Sequence, residues 1–169
     1  MKRIGILSDT HGTWDAKIAN YLSQCDEIWH AGDIGDRSVL EHMRALGKPL
    51  RAVYGNIDGA EIRRECPLET TFTVEGCTVY MRHIIGRPGN YKPGIPARLR
   101  TYKPTITVAG HSHILMVKYD ADFQTLHINP GAAGTYGQQT VRTLILLTLE
   151  AGKPKELEVV ELHAHPQAR

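Results

Sequence analysis

The sequence predicts an α/β fold made of two mixed β-sheets with helices on their outer faces. In the first half of the chain, short apolar strands alternate with amphipathic helices, which is typical of a parallel sheet. The second half consists mostly of strands joined by Gly, Pro or Asp, and a single sheet holding all of them would be wide. The 169 residues contain no repeat, low-complexity tract or linker, so we expect one domain over residues 1–169.

The first half divides into three strands and two helices. The predicted strands are Arg3–Ser8, Glu27–Ala31 and Leu50–Tyr54. After the first strand, apolar residues recur at helical spacing at Trp14, Ile18, Tyr21, Leu22 and Cys25. Asp36 can cap a second helix, which ends at Gly47 and Pro49 and carries Val39, Leu40, Met43 and Leu46 on one face. The βαβαβ order implies a parallel sheet covered by helices.

The second half is predicted to contain seven strands and little helix. A hairpin turn at Glu75-Gly76 joins the first two strands. The predicted strands are Thr70–Val74, Thr78–Arg82, Thr105–Ala109, Ile114–Tyr119, Gln124–Ile128, Thr140–Leu149 and Glu156–Leu162. Proline and glycine interrupt the stretch from Gly86 to Lys103, which we interpret as a loop with one short helix near Ala97–Tyr102.

Composition argues for an ordinary cytoplasmic protein. A hydrophobic content of 41% and a charged content of 22% are typical of globular chains, and a net charge of +2 gives no strong signal for nucleic acid or membrane binding. Three cysteines without CxxC spacing indicate reduced thiols. The apolar run Ile4–Leu7 is too short for a signal peptide or a membrane span. The strands of the second half leave pairing across a homo-oligomer open.

Side chains suited to metal binding follow strand after strand at the same end. They are Asp9 and His11, Asp33, Asn56, His83, and the pair His111 and His113. In open α/β sheets ligands bind outside the carboxyl ends of the strands, so this repeated placement is informative even though each short motif alone is weak. In extended chain, residues two apart face the same way, so His111 and His113 are expected to converge.

The chemistry of these seven side chains favours two metal ions. Two carboxylates, one amide and four imidazoles, without a thiolate, suit Mn, Fe, Zn, Ni or Co at a catalytic centre. Seven ligands are too many for one ion with an open position, whereas two ions about 3.5–4 Å apart that share a carboxylate would use them all. Such a pair lowers the pKa of a shared water toward neutrality and so generates a nucleophile.

The ordered motifs D-x-H, G-D, G-N, H and G-H-x-H resemble those of the calcineurin-like metallophosphoesterase superfamily. The strings SDTHG, GNID and INPGA (Ile128 to Ala132) are similar to its small, single-domain branch of YfcE-like phosphodiesterases. The resemblance covers Met1 to about Leu162 and implies a four-layer αββα sandwich. It implies a first ion held by Asp9, His11, Asp33 and His113, and a second held by Asp33, Asn56, His83 and His111.

The same resemblance implies a mechanism, and this sequence departs from the family pattern at one position. Asp33 would bridge the two ions, a bridging hydroxide would attack phosphorus, and Asp33, Asn56 and His83 are the expected catalytic residues. Many members carry G-N-H, whose histidine can protonate the leaving group, but Ile57 stands in that position here. The identity of any general acid is therefore open.

A basic stretch lies between the last ligands. Glu75 and Asp120 enclose a segment without any acidic residue, and its cations include Arg87 and Lys92. We predict that Arg87, Asn90, Tyr91 and Lys92 overhang the metals and bind the phosphate ester. A solvated basic loop or an oligomer contact is the alternative.

The function predicted from the sequence is a metal-dependent hydrolase of small phosphate esters, with diesters preferred over monoesters on the resemblance alone. Manganese is the first choice of metal, with Ni, Zn, Fe, Co or Mg as alternatives. A retromer subunit shares this fold and acts as a protein-binding scaffold, so a non-catalytic scaffold is the alternative function. A dinucleotide-binding protein is disfavoured because SDTHG, not G-x-G-x-x-G, follows the first strand.

Overall fold

Two five-stranded sheets form the centre of the molecule in a computed structural model that describes residues 1–139 and 141–164. The strands of the first sheet are β1 (Lys2–Leu7), β2 (Glu27–His30), β3 (Leu50–Ala52), β11 (Val141–Glu150) and β12 (Lys153–Ala164). Their spatial order is β12-β11-β1-β2-β3. Strands β1, β2 and β3 run parallel, and β11 pairs antiparallel with both β1 and β12, so the sheet is mixed.

The second sheet is also mixed. Its strands are β4 (Glu69–Val74), β5 (Cys77–Arg82), β8 (Ile106–Val108), β9 (Met116–Asp120) and β10 (Thr125–Asn129), in the order β4-β5-β8-β10-β9. Strands β5, β8 and β10 run parallel, and β4 and β9 close the two edges antiparallel. Two very short strands, β6 (Gly86–Arg87) and β7 (Asn90–Tyr91), form a separate hairpin.

Four helices complete a four-layer arrangement. They are α1 (Ala16–Ser23), α2 (Arg37–Ala45), α3 (Ala60–Glu65) and α4 (Ile95–Tyr102). Apolar side chains from the facing surfaces of the two sheets, such as Ile6, Trp29, Val79 and Ile128, form one core. The first three helices pack on the outer face of the first sheet, and α4 packs on the outer face of the second. Burial of these three apolar clusters drives the layering, because each sheet face and helix stripe must leave water.

The expected fold class, two mixed sheets with helices on their outer faces, is confirmed. Asp36 caps α2 by accepting a hydrogen bond from the backbone N–H of Ser38 at 2.9 Å, and Gly47 follows that helix at φ +75°. The Glu75-Gly76 turn has positive φ at both residues (+49° and +78°), as a tight turn between twisted antiparallel strands requires. The expected strand at Thr140–Leu149 is observed from Val141, while Thr140 lies outside the described residues.

Two elements were missed in the sequence. Helix α3 has six residues and only one fully buried apolar side chain, Ile62, so it leaves no helical periodicity to detect. The stretch Gly86–Lys103, predicted to be mainly loop, holds the β6–β7 hairpin, and its helix begins at Ile95, two residues before the predicted start. Within the described residues, no helix is long and apolar enough to cross a membrane.

Candidate metal centre

The loops that follow five parallel strands meet at one end of the sandwich. The backbone N–H of Asp9 donates to the carbonyl of Gly32 at 2.9 Å, and that of His11 donates to the carbonyl of Asp33 at 3.0 Å. These bonds join the loops after β1 and β2. Between β5 and β8, the N–H of Gly110 donates to the carbonyl of His83 at 3.0 Å. The backbone itself therefore fixes the spacing of the candidate ligands.

Six of the seven candidate ligands fall into two clusters with metal-ligand spacing. The first cluster is Asp9, His11 and His113, and the second is Asp33, His83 and His111; in each, the ligand atoms all lie within 4.8 Å of one another. The seventh, Asn56, meets the second cluster through its Oδ1, which lies 3.0 Å from Nδ1 of His111. The structure thus brings all seven side chains to one place.

One oxygen of Asp33 lies between the two clusters. Its Oδ2 is 3.4 Å from Nε2 of His11 in the first cluster and 3.2 Å from Nε2 of His83 in the second. Oδ1 of Asp9 is 3.2 Å from Nε2 of His113 and 3.8 Å from Nε2 of both His11 and His83. The two carboxylates therefore face a common set of imidazole nitrogens.

In two of the candidate ligand histidines, a contact between the ring nitrogen Nδ1 and a carbonyl oxygen sets the orientation of the ring. Nδ1 of His83 lies 2.7 Å from the carbonyl oxygen of Ala31, and Nδ1 of His113 lies 3.0 Å from Oε1 of Gln139. Because a carbonyl oxygen can only accept, Nδ1 carries the hydrogen in each pair. The Nε2 atoms of His83 and His113 are then left to face the carboxylates, which is the arrangement that metal-binding histidines adopt.

Backbone strain is concentrated at the same residues. Nine described non-glycine residues have positive φ, and five of them are candidate ligands: Asp9, His11, Asp33, His111 and His113. Left-handed backbone is unfavourable for residues with a Cβ, and it persists where the surrounding structure imposes it, often at functional sites. The hydrogen bonds between the loops supply that constraint here.

A further carboxylate, Asp58, holds two of these loops in place. Its Oδ1 accepts from the backbone N–H of Gly35 at 2.8 Å, and its Oδ2 accepts from Ile34 at 3.1 Å and Gly55 at 2.8 Å. Asp58 is only 3% exposed. It therefore ties the segment after Asp33 to the segment before Asn56. Sequence reasoning did not single out Asp58, and its presence in GNID was the only available signal.

Both candidate ligand carboxylates are held in their ionised form. Burial alone would raise the pKa of Asp9, but the imidazoles of His11 and His113 next to it outweigh burial and hold that pKa well below its ordinary value. Burial opposes ionisation of Asp33 in the same way, and His11 and His83 together hold the pKa of Asp33 far below its usual range. The centre thus carries two negative charges with positive charge gathered around them.

The imidazoles respond to those charges. Burial would lower the pKa of His11, but Asp33 and Asp9 raise it to about 9. Asp33 likewise raises the pKa of His83 against the effect of burial, and Asp9 raises that of His113. Burial and the nearby His83 lower the pKa of His111. The imidazoles that face Asp9 and Asp33 therefore bind protons more tightly than a free histidine does. A divalent ion that bound at the same place would displace those protons.

Three buried polar atoms at the centre have no hydrogen-bond partner in the part of the chain that the structure describes. They are Oδ1 of Asp9, Nε2 of His11 and Nε2 of His83. Buried polar groups are nearly always paired, and orphans that converge on one point need a further partner. Because carboxylate oxygen and imidazole nitrogen are both good ligands for first-row divalent ions, the residues present fit such ions.

The predicted substrate residues lie beside the centre but do not all face the same way. Arg87, Asn90 and Lys92 line a cavity of about 270 Å³ that also contacts His111. Tyr91 differs, because its hydroxyl donates to Oδ2 of Asp120 and its ring packs edge-on against Phe123 at 5.6 Å. Residues that the sequence analysis did not assign to this cavity also line it: Ile84, Met116, His127 and Asn129.

Comparison with known proteins gives three findings. Residues 1–152 match the model of the calcineurin-like phosphoesterase superfamily domain. The protein named Probable metallophosphoesterase MJ0623, from Methanocaldococcus jannaschii, is 27% identical over an alignment of 161 residues, and the match covers 87% of this chain and 76% of that protein. A solved archaeal phosphodiesterase superimposes with a TM-score of 0.74 at 21% identity and covers 94% of this chain and 99% of its own.

The same architecture occurs in a protein named for vacuolar sorting. Vps29 from Entamoeba histolytica, solved in complex with Zn²⁺, superimposes with a TM-score of 0.71 at 16% identity and covers 95% of this chain and 99% of its own. At such identities the likeness of the two solved structures establishes the fold and leaves the activity to the family match and the site.

Proposed function

The chain belongs to the calcineurin-like phosphoesterase superfamily, and from that premise we propose that it hydrolyses phosphodiesters through a pair of divalent metal ions. The observation that carries the proposal is the position of Asp33, whose Oδ2 lies 3.4 Å from His11 and 3.2 Å from His83. A carboxylate oxygen placed between two ligand clusters is what a shared, bridging ligand requires.

Each proposed ion has its own set of ligands. Asp9, His11, Asp33 and His113 would hold the first, and Asp33, Asn56, His83 and His111 would hold the second. Such ions act as Lewis acids on phosphoryl oxygens and lower the pKa of water toward neutrality, with manganese as our first choice.

The protein side chains prepare this chemistry by their charge and orientation. Asp9 and Asp33 are ionised, so the centre can accept cations without first losing carboxyl protons. Ala31 and Gln139 fix the rings of His83 and His113 with Nε2 directed inward. Ordered ligands of this kind lower the reorganisation needed when substrate charge develops.

Positive charge beside the centre supports an anionic substrate. Arg87 and Lys92 are both exposed on the rim of the adjoining cavity, and no ion pair to a described acidic residue engages either of them. By contrast, Arg82 and Arg98 are bound to Glu69 at 2.7 Å and 2.8 Å. We assign Arg87, Asn90 and Lys92 to substrate binding, while Tyr91 anchors the hairpin that carries them.

The test compares two chromogenic esters on protein stripped of metal and resupplied with Mn²⁺, Ni²⁺, Zn²⁺ or Mg²⁺. Bis(p-nitrophenyl) phosphate serves as the diester and p-nitrophenyl phosphate as the monoester. We expect no turnover without metal and a higher kcat/KM for the diester once metal is restored. Turnover of the monoester alone would contradict the diester assignment, and no turnover with any ion would contradict the enzyme.

The second candidate function is a non-catalytic scaffold. An apolar strip formed by Ile114, Leu115, Val117 and Tyr119 is 38–63% exposed along and just before the edge strand β9, as a protein-binding surface would require. The fold also occurs in a protein named for vacuolar sorting. What supports the enzyme over the scaffold is that all seven ligand positions carry metal-binding side chains.

A further inference from the structure

A cavity opens directly from the second ligand cluster. Its volume is about 270 Å³, close to the lower end of the roughly 300–1,000 Å³ usual for small-molecule sites. The loop residues Gly110 and His111 form the side nearest the candidate metals. Met116 from β9 and His127 and Asn129 from β10 also line it, and the β6–β7 hairpin contributes its rim. A phosphoryl group held by His111 and its neighbours would have one of its ester groups facing this space.

The lining is mostly apolar and carries no negative charge. Ile84, Ile114 and Met116 supply hydrocarbon surface, and none of the described residues that line the cavity is Asp or Glu. Both hydrogens of the Asn129 amide are used, because its Nδ2 donates to Gly110 and Ser112, and its Oδ1 accepts from Gly131. These bonds hold the Asn129 side chain in place and leave no Nδ2 hydrogen to donate to a ligand.

His127 is a buried polar side chain in the lining of this cavity. It is 1% exposed and lines the cavity, and its Nδ1 has no hydrogen-bond partner among the described residues. Burial lowers the pKa of His127 to about 4, so the ring is neutral near pH 7 and has one donor and one acceptor nitrogen. A neutral imidazole with an unpaired ring nitrogen can form a hydrogen bond with a polar group of a ligand that occupies the cavity.

We propose that this cavity, which we call the ester pocket (Ile84, Ile114, Met116, His127 and Asn129), binds one organic ester group of the substrate, and that this group is an uncharged ring bearing a hydrogen-bonding substituent that reaches His127. The proposal rests on the proposed function only for the phosphoryl group that the metals hold. Arg87 and Lys92 at the rim favour the anionic part of the ligand, and the apolar interior favours the ring.

The test measures binding and does not depend on turnover. Methylphosphonate, phenylphosphonate and 4-hydroxyphenylphosphonate share one anionic group and differ by a ring and then by a hydroxyl. We expect calorimetric titration of the Mn²⁺-loaded protein to show phenylphosphonate binding roughly tenfold tighter than methylphosphonate, because a ring leaves water. The hydroxyl should add about fivefold.

Three variants separate the roles of the pocket residues. Met116→Trp fills the pocket and should remove the preference for phenylphosphonate over methylphosphonate. His127→Phe should keep the ring preference and lose the gain from the hydroxyl. Val117→Trp is the matched control, because it adds the same ring to the neighbouring, 42% exposed position on β9 outside the pocket, and it should bind all three phosphonates like the parent. Circular dichroism melts establish that each variant folds.

The outcomes separate this inference from the proposed function. Equal affinity for methylphosphonate and phenylphosphonate would overturn the ester pocket, whatever the esterase assay gives. A ring preference that Met116→Trp leaves intact would overturn it as well. Absence of ester hydrolysis with every metal would overturn the proposed function, and the phosphonate titrations would still decide whether the pocket binds a ring.

Discussion

The backbone N–H of His111 donates to Oδ2 of Asp9 at 3.1 Å, although 102 residues separate them in the chain. Asp9 follows β1 of the first sheet and His111 follows β8 of the second, so this bond joins the two sheets at the candidate centre. The other oxygen of Asp9 faces the imidazoles.

Asp33→Asn should abolish turnover while leaving the protein folded. The asparagine keeps the shape and can still accept from the backbone N–H of Ile57, a bond of 3.1 Å to Oδ1, but it loses the charge shared by the two clusters. We expect kcat to fall more than about a hundredfold. Asp36→Asn is the control, because asparagine caps α2 as well as aspartate does. Retained turnover in Asp33→Asn would contradict the bridging role.

Asp58→Ala should weaken metal binding without removing any ligand. Three backbone N–H groups lose their acceptor, and the loops that carry Asp33 and Asn56 are no longer tied together. We expect the Kd for Mn²⁺ to rise about 10–100-fold, as for other residues that orient ligands. Asp26→Ala removes an exposed carboxylate that accepts from Arg3 and should leave the Kd unchanged. Calorimetric titration measures both, and an unaltered Kd in Asp58→Ala would count against its positioning role.

Gly55→Ala should disrupt the centre because a side chain has no room there. A Cβ at this position would lie 2.1 Å from Oδ1 of Asp33 and 2.4 Å from its backbone nitrogen. We expect loss of metal-dependent turnover of about a hundredfold, since an ångström-scale displacement can cost that much. Gly59→Ala makes the same change four residues later, where nothing lies within 4 Å, and should behave like the parent. Comparable kcat values for both variants would contradict this account.

Combined replacement of Arg87 and Lys92 by alanine should raise KM for a phosphodiester. Both cations lie at the cavity rim without an ion-pair partner among the described residues, so their charge is free for an anion. We expect an increase of about five- to tenfold in KM with little change in kcat, because exposed charges contribute modestly and mainly to binding. Arg100→Ala on α4 removes an exposed cation outside the cavity and serves as the control. An unchanged KM would leave Arg87 and Lys92 as a solvated basic rim.

Acid should destabilise the metal-free protein partly through His30. Its Nδ1 accepts from the N–H of Gly32 at 3.1 Å, its Nε2 lies 3.0 Å from the Thr10 hydroxyl, and burial lowers its pKa to about 4. Between pH 6.5 and 4 His30 is protonated in the unfolded chain but stays neutral in the folded chain. The free energy of unfolding therefore decreases as the pH is lowered from 6.5 to 4. The full loss is about 3 kcal/mol.

The measurement is the free energy of unfolding by urea at pH 7 and pH 4.5. His30→Gln should be less stable at pH 7, because Gly32 loses its acceptor, and it should also lose less stability on acidification than the parent. His42→Gln removes an exposed histidine that stacks on Trp14 and should retain the parental pH dependence. Equal pH dependence in all three proteins would exclude His30 as the source.

Much of the fold was predictable because its signals are local. Alternating apolar residues in β10 and helical spacing in α2 reflect which face of one short element is buried, and neighbouring residues carry that information. Helix α3 and the β6–β7 hairpin escaped detection because they are too short to bury a periodic face. Their formation depends on contacts with distant parts of the chain.

The candidate site was predictable in its membership and not in its geometry. Metal-binding residue types at successive strand ends pointed to all seven side chains. Nothing local revealed that five of them adopt left-handed backbone, or that Asp58 binds three N–H groups from two loops. Nor could the sequence show that Tyr91 donates to Asp120 and does not line the cavity that Arg87 and Lys92 border.

By itself, the sequence determined the order of the longer strands and helices, the family, and the chemical types gathered at one end of the sheets. Each of these depends on the identities of residues and on their spacing over short stretches of chain, which the sequence gives without any knowledge of the tertiary structure. Only the tertiary structure decided that Oδ2 of Asp33 lies between His11 and His83, and that a neutral His127 lines an apolar pocket next to His111. Those facts depend on how two sheets from distant halves of the chain pack, because burial and backbone hydrogen bonds between loops set distances that no local pattern encodes.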